Sequence, residues 1–213
     1  AAYEASPEVN AFTSKFDYYV KCQVQLTTQE ERGLELFNAT DKGNCAACHP
    51  STSTDSKTPA LFTDFTYDNL GVARNPDNRF YTLGSGFNPA GMDFVDLGLG
   101  GRTDLGTDPR AEDGKFKVPS LRNVAVTAPY MHNGYFRDLK AVVQFYNDRD
   151  LRSVCPEPLW TREADAQSQN CWPQPEVAAN VNRDELGNLG LTDAEVDDIV
   201  AFMKTLTDGY VPP

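Results

Sequence analysis

The segment Cys45-Ala46-Ala47-Cys48-His49 constrains this chain more than any other stretch of its sequence. Two cysteines at this spacing, followed at once by a histidine, form the C-x-x-C-H signature of covalent c-type haem attachment. Each thiol can add to one vinyl group of the porphyrin, and the adjacent imidazole can bind the iron. The sequence therefore predicts one covalent haem c, with Cys45 and Cys48 as thioether residues and His49 as the proximal iron ligand.

Two other kinds of site use closely spaced cysteines, and the sequence disfavours both. A zinc site needs two further ligands, but the chain has neither a second C-x-x-C pair nor an H-x(3–5)-H pair. A thioredoxin-like redox pair is expected in a βαβ unit. This pair instead lies between a predicted helix and a long glycine-rich loop, so haem attachment remains the favoured interpretation.

Charge and hydropathy limit the partners. The 213 residues include 31 Asp and Glu against 19 Lys and Arg, a formal net charge of −12. Nucleic-acid binding is therefore not expected, because phosphate contacts need clustered basic residues, and a partner with a basic face is favoured. No apolar run reaches the roughly 18 residues of a membrane span. The opening residues 1–10 lack signal-peptide features, so we expect a signal peptide to have been removed already.

The other three cysteines bear on the compartment. Haem c attachment takes place in the bacterial periplasm, an oxidising space in which disulfides persist. Cys155 and Cys171 lie within an insertion at 150–180 that we expect to have little core of its own. A disulfide between them would stabilise it by about 3 kcal/mol. Cys22 is left over and is predicted to be a buried, small apolar residue. The sequence thus predicts a periplasmic protein with one disulfide.

Helical periodicity and capping signals predict four helices. They cover 7–20 after a Ser6 cap, a segment from the capping box Thr28-Gln29-Glu30-Glu31 to about Asn38, Asp138–Asn147, and a last helix opened by Thr192-Asp193-Ala194-Glu195 and closed by Gly209. The predicted fold class is all-α: a c-type cytochrome fold with long irregular loops, mainly residues 50–118, around one haem. Residues 1–27 are predicted to form a connector helix and residues 28–213 the cytochrome c domain.

Three segments resemble one protein family. They are residues 26–49 around the haem motif, the run Phe116–Val124 continued by Thr127–Gly134, and the C-terminal residues 191–206. Together they resemble the second haem domain of bacterial dihaem cytochrome c peroxidases and their MauG-type relatives. That family carries two haem domains, whereas this chain has one C-x-x-C-H segment. The chain is therefore expected to be a fragment, one subunit of a split protein, or a monohaem relative.

The sixth position of the haem iron decides between electron transfer and peroxide chemistry. Sulfur from methionine raises the potential of a haem, an anionic tyrosine oxygen lowers it, and an open position admits peroxide. The resemblance places the distal ligand at Tyr146, counting from His132, and helical periodicity independently puts that side chain on the buried face. Met131 is the alternative ligand, and an open position is the third possibility.

Four further residues are candidates at the site. His132 is the only histidine besides His49, so it is either an acid–base or gating residue or a structural one. Arg122 is either a partner of a haem propionate or part of a salt bridge. The resemblance implies that the backbone carbonyls of Thr127 and Pro129 bind an interdomain calcium, completed by a ligand from the other domain.

These expectations combine into one function and one alternative. The resemblance implies a periplasmic cytochrome domain that carries electrons through a low-spin haem, to or from a redox partner or a missing N-terminal haem domain. The alternative is a peroxidase that acts on hydrogen peroxide at this haem through a labile or open sixth position. In that case the chain would be a cytochrome c peroxidase-like or MauG-like oxidoreductase.

Overall fold

The computed structural model describes residues 11–53, 58–104 and 108–213, together with positions 3, 6 and 106. Within these ranges the chain forms the helices α1 Lys15–Val20, α2 Thr28–Asn38, α3 Leu139–Asp148, α4 Glu163–Ser168 and α5 Asp193–Lys204. The strands are β1 Tyr67–Asp68, β2 Phe116–Lys117, β3 Ser153–Val154 and β4 Cys171–Trp172. Short 3₁₀ helices cover Cys45–Ala47, Arg79–Thr82, Gly91–Asp93, Leu99–Gly101, Pro109–Ala111 and Val124–Val126.

Helices α2 and α5 pack against each other at the centre of the larger hydrophobic core. Gly33 of α2 lies directly against the α5 backbone: a Cβ there would be 2.0 Å from the Asp198 carbonyl oxygen and 2.8 Å from Phe202 Cβ. Beside it, the Arg32 guanidinium donates to both oxygens of the Asp198 carboxylate. Because the two backbones approach so closely, the rings of Phe37 and Phe202 meet edge to face with centroids 5.1 Å apart.

A buried ion pair ties helix α1 to this core. Arg122 Nη1 donates to Asp17 Oδ2 at 2.8 Å, and the two side chains are 2% and 5% exposed. Arg122 Nε also donates to the Ala60 carbonyl at 2.8 Å. The neighbouring Phe16 packs edge to face against Phe202. Helix α1 therefore belongs to the same hydrophobic core as α2 and α5.

A second, smaller core joins α3 to the segment 150–180. The rings of Phe145 and Trp172 meet nearly at right angles with centroids 5.3 Å apart, and Ala166 of α4 is fully buried beside them. The disulfide Cys155–Cys171 lies within this cluster, so the predicted bond is confirmed. The expectation that the insertion has little core of its own is wrong, because Cys155, Ala166 of α4 and both residues of β4 are buried in this cluster.

Two of the predicted helices agree closely with the structure. Helix α3 begins after an Asp138 cap, and α5 begins after the predicted Thr192 and Glu195 capping box. The capping box of α2 was predicted one residue too late, since Thr27 and Glu30 form it. Helix α5 ends at Lys204, before the predicted stop at Gly209.

The predicted N-terminal helix over 7–20 is confirmed only for Lys15–Val20, and the described residues 11–14 before it are not helical. Ser14 and Asp17 form a capping box that starts α1 at Lys15, and Phe12 has a φ of 53°, which is incompatible with a right-handed helix. Ser6, the predicted cap, bonds back to the Tyr3 carbonyl, and residues 7–10 lie outside the described ranges. Cys22 is exposed, so its predicted burial is also wrong.

The predicted all-α class accounts for the helices but misses the short strands β1 to β4. Strands β1 and β2 pair antiparallel, with Tyr67 opposite Lys117, and β3 and β4 pair parallel. Each has only two residues, and the alternation rules that reveal strands need longer runs. Within the described ranges, no helix combines the length and the apolar character needed to cross a membrane.

Candidate haem site

An apolar cavity of about 390 Å³ lies between α3, α5 and the irregular segments that follow the haem motif. Its wall includes Cys45, Cys48 and His49 from the motif and Val142 and Tyr146 from α3. Residues in and around β1 and β2, and a segment around residue 176, also line the cavity. Described residues of the irregular segment 50–118 therefore form part of the cavity wall, as the sequence predicts.

Two left-handed residues turn the chain from α2 into the motif. Gly43 has a φ of 82° and Asn44 a φ of 52°. A Cβ on Gly43 would lie 2.1 Å from the Leu36 carbonyl oxygen, so only glycine fits this turn. The 3₁₀ helix Cys45–Ala47 follows, and the His49 amide donates to the Cys45 carbonyl at 2.9 Å. This tight turn directs both cysteines and the histidine toward one cavity.

The His49 ring is fixed in one orientation. Its Nδ1 lies 2.8 Å from the Phe62 carbonyl oxygen, which can only accept, so Nδ1 carries the proton and Nε2 keeps its lone pair. The residue is buried, and desolvation lowers the pKa of the imidazole although the Phe62 carbonyl raises it. A neutral imidazole held by a second partner is the form that binds iron.

Both motif cysteines are free thiols. Burial raises the pKa of Cys45 to about 12, and burial together with the Glu185 and Asp68 carboxylates raises the pKa of Cys48 to about 12. Free thiols on the wall of an apolar cavity suit thioether formation, and their raised pKa values disfavour disulfide exchange, which needs a thiolate.

Both candidates for the distal ligand line this cavity. Tyr146 projects from α3, and burial raises the pKa of its phenol, with the Cys48, Cys45 and Asp68 groups raising it further. Met131 lies in the loop before α3, where its φ is 70°. The buried-face prediction for Tyr146 is consistent with its position beside Val142.

His132, Thr127 and Pro129 also line the cavity. The His132 ring stacks on Phe116 with centroids 3.5 Å apart and planes inclined by 6°. His132 is exposed, and desolvation by the cavity wall lowers the pKa of its imidazole, although the Asp96 carboxylate raises it. The imidazole is therefore neutral near neutral pH and a weaker base than a free histidine.

Arg122 lies outside this group. It is not among the described residues that line the cavity, and its guanidinium is engaged by Asp17 and Ala60 as given above. The sequence allowed either a propionate partner or a surface salt bridge for Arg122. The structure shows a salt bridge, and it is buried. Among the described lining residues, Lys117 alone carries a fixed positive charge, and its Nζ lies 4.9 Å from the centre of the Phe65 ring.

Sequence reasoning missed the acidic part of the wall. Asp68, Asp96, Glu176 and Glu185 line the cavity, and Cys48, Asp68 and Glu185 have ligand atoms within 4.8 Å of one another. Asp68 ends strand β1, and Asp96, Glu176 and Glu185 lie in irregular segments distant from it in the sequence. No local pattern distinguishes them from the many other acidic residues of a chain with 31 Asp and Glu.

A helical domain whose apolar cavity is lined by both cysteines and the histidine of a C-x-x-C-H segment has the architecture of a c-type cytochrome. No protein-family profile matches the chain. Methylamine utilization protein MauG of Paracoccus denitrificans is 42% identical over 214 residues, which cover 100% of this chain and 51% of MauG. The chain belongs to the family of MauG and the bacterial dihaem cytochrome c peroxidases.

Solved structures agree with this assignment. The dihaem peroxidase BthA of Burkholderia thailandensis is 35% identical with a TM-score of 0.68, over 95% of this chain and 48% of BthA. A MauG-like protein associated with microbial copper homeostasis is 29% identical with a TM-score of 0.62, over 93% of this chain and 52% of that protein. This chain spans about half the length of the relatives it matches.

Proposed function

We propose that this chain is a haem c domain that carries single electrons within a protein of the dihaem peroxidase type. The observation that carries the proposal is one apolar cavity lined jointly by Cys45, Cys48, His49 and Tyr146, with the His49 tautomer fixed by Phe62. In this proposal Cys45 and Cys48 would hold the haem covalently, and His49 and Tyr146 would be the two protein ligands of its iron. The expected redox partner is a second haem domain or a protein with a basic face.

The haem, when bound, supplies a one-electron iron couple. The chain's residues set its environment: Val142 and its apolar neighbours exclude water, and the Phe62 carbonyl keeps His49 in its ligand form. Lys117, and not Arg122, would be the cationic partner of a haem propionate, because Lys117 lines the cavity. An anionic Tyr146 oxygen would stabilise ferric iron and hold the potential low.

Tyr146 is preferred to Met131 for two independent reasons. It occupies the ligand position of the family, and it lies on a rigid helix, whereas Met131 lies in a loop. Burial, together with the Cys48, Cys45 and Asp68 groups, raises the pKa of the phenol, so binding requires that the iron charge compensate for the lost proton. A buried apolar wall strengthens that compensation because charges interact more strongly at low dielectric.

Replacing Tyr146 with phenylalanine will convert the ferric haem from low spin to high spin, because phenylalanine has no oxygen to bind the iron. Electronic absorption and EPR spectra of haem-loaded Tyr146→Phe measure this change. Met131→Leu is the matched control, since it alters the other candidate on the cavity wall, and it will keep the low-spin signals. Low-spin signals that survive in Tyr146→Phe and vanish in Met131→Leu would transfer the ligand role to Met131.

A peroxidase acting at this haem is the second candidate, and His132 is the observation that favours it. A neutral imidazole on the cavity wall could take a proton from hydrogen peroxide if the sixth position were open. Several relatives are named as peroxidases, among them IdrP2 of Denitromonas iodatirespirans. A high-spin ferric haem in the unmodified chain would favour this candidate over electron transfer.

Location and calcium binding are also proposals. The Cys155–Cys171 disulfide and the haem-attachment motif both favour the periplasm, where such bonds persist. Thr127 and Pro129 lie on the cavity wall, at the positions whose carbonyls bind calcium in the family resemblance. The other ligand would come from a second haem domain.

A further inference from the structure

Glu176 is a buried carboxyl with one engaged and one unengaged oxygen. Its side chain is 3% exposed and contributes to the wall of the cavity. Oε1 accepts from the Tyr81 hydroxyl at 3.2 Å and lies 3.3 Å from Arg74 Nε. Oε2 has no hydrogen-bond partner within the described part of the chain. A buried acceptor without a partner destabilises a folded protein, so its presence calls for a reason.

The other acidic residues of the wall are better satisfied. Asp68 accepts from the Asn182 side chain at 2.6 Å and from the Asn69 amide. Asp96 accepts from the Gly98 amide at 3.0 Å, and Glu185 is exposed and accepts from Asn182. Glu176 is therefore the carboxyl on which a proton would relieve the largest desolvation cost.

The groups that face Glu176 are fixed in place. The Arg74 guanidinium lies between the rings of Tyr81 and Trp160, 5.1 and 4.8 Å from their centres, and donates to the Met92 and Phe94 carbonyls.

Burial raises the pKa of Glu176 most, and the Asp96 carboxylate raises it slightly. Tyr81, Arg74 and the Asp96 backbone lower the pKa, and the net shift is upward. His132 shares the cavity, and its own pKa lies low. The Glu176 carboxyl can therefore gain or lose a proton after only a modest change in the charge around it.

We propose that Glu176 is the redox-linked proton acceptor of this site. When a one-electron donor reduces the site, Glu176 Oε2 takes up one proton from solvent and an O–H bond forms. When the electron leaves, that bond breaks and the proton returns to solvent. The uptake follows from electrostatics, because an added negative charge in an apolar cavity is poorly screened and favours protonation of the nearest unsatisfied carboxylate.

The proposal rests on the proposed function and predicts a pH-dependent potential. Since reduction takes up a proton, the midpoint potential must fall as pH rises between the Glu176 pKa of the oxidised state and that of the reduced state. One proton per electron changes the equilibrium constant tenfold per pH unit, so the slope approaches about 59 mV per unit in that window. Glu176→Gln cannot take up the proton and will abolish this slope.

The test is redox titration of the haem-loaded protein from about pH 5 to about pH 8. Glu163→Gln is the matched control, because Glu163 is another carboxyl with a pKa raised by burial and it lies outside the cavity wall. Wild type and Glu163→Gln will share the slope, and Glu176→Gln will lose it. Equal slopes in all three proteins, or a wild-type potential independent of pH, would overturn the proposal.

A second measurement needs no variant and covers a Glu176→Gln protein that fails to fold. Reduced-minus-oxidised infrared spectra of the unmodified protein will show a protonated carboxyl C=O band that grows on reduction and shifts in D₂O. A reversible couple without that band contradicts the role of Glu176 alone. A chain with no reversible haem couple overturns the proposed function, and the Glu176 proposal with it.

Discussion

Replacing both Cys45 and Cys48 with alanine will yield a chain that carries no covalently bound haem. The two thiols lie on the wall of one cavity, neither is in a disulfide, and each would supply one thioether bond. Without them, only His49 and the distal ligand remain to hold haem, and those bonds break on denaturation. Haem staining after denaturing electrophoresis will therefore fall from a strong band to background.

Cys22→Ala provides the matched control for this result. Cys22 is a free cysteine like the two motif residues, but it is exposed and does not line the cavity. Its replacement will leave the haem band unchanged, and far-ultraviolet circular dichroism will establish that all three proteins keep their helices. A haem band that persists in the double variant, or disappears in Cys22→Ala, would contradict the assignment of the attachment residues.

Replacing Gly33 with alanine will destabilise the chain by roughly 1–2 kcal/mol or more, because overpacking outweighs the gain in helix propensity. Alanine favours a helix over glycine by about 1 kcal/mol, so a gain in stability would be expected from propensity alone. The new Cβ, however, would lie 2.0 Å from the Asp198 carbonyl oxygen and 2.6 Å from its carbon. Both neighbours are backbone atoms of α5 that cannot rotate away, and overpacking of this kind costs about 1–3 kcal/mol or more.

Urea unfolding of the haem-loaded protein measures this effect, and Gly84→Ala is its control. A Cβ on Gly84 would meet no atom within 4 Å, so that substitution will change the free energy of unfolding by less than about 0.5 kcal/mol. Because α2 leads directly into the haem motif, a displaced α2 will also broaden the haem absorption spectrum. A Gly33→Ala protein as stable as wild type would show that α2 and α5 are farther apart than described.

The parts of the fold that sequence could predict are those set by neighbours in the chain. The haem motif, the Thr192 cap of α5 and the periodicity that buries one face of α3 each depend on residues within one or two helical turns. The disulfide was predictable for a different reason, since compartment and spacing together favoured one pairing. Tyr146 combines both kinds of information, because periodicity put it inward and the family resemblance put it at the iron.

The parts that sequence could not predict depend on contacts between distant segments. Arg122 pairs with Asp17, more than a hundred positions earlier in the chain. No local sequence pattern around either residue predicts that contact. Helix α1 starts at Lys15 because Ser14 and Asp17 cap each other, and the earlier Ser6 offered a competing cap of the same chemistry. Glu176 contacts Tyr81 and Arg74, which lie in a distant part of the sequence.

The ferric EPR spectrum of the haem-loaded, unmodified chain tests the proposed electron-transfer role most directly. An iron bound by His49 and Tyr146 has no open position, so the spectrum will show a low-spin ferric signal that equimolar hydrogen peroxide leaves unchanged. A high-spin signal that is lost when peroxide is added would contradict that ligation and show that peroxide reacts at this haem.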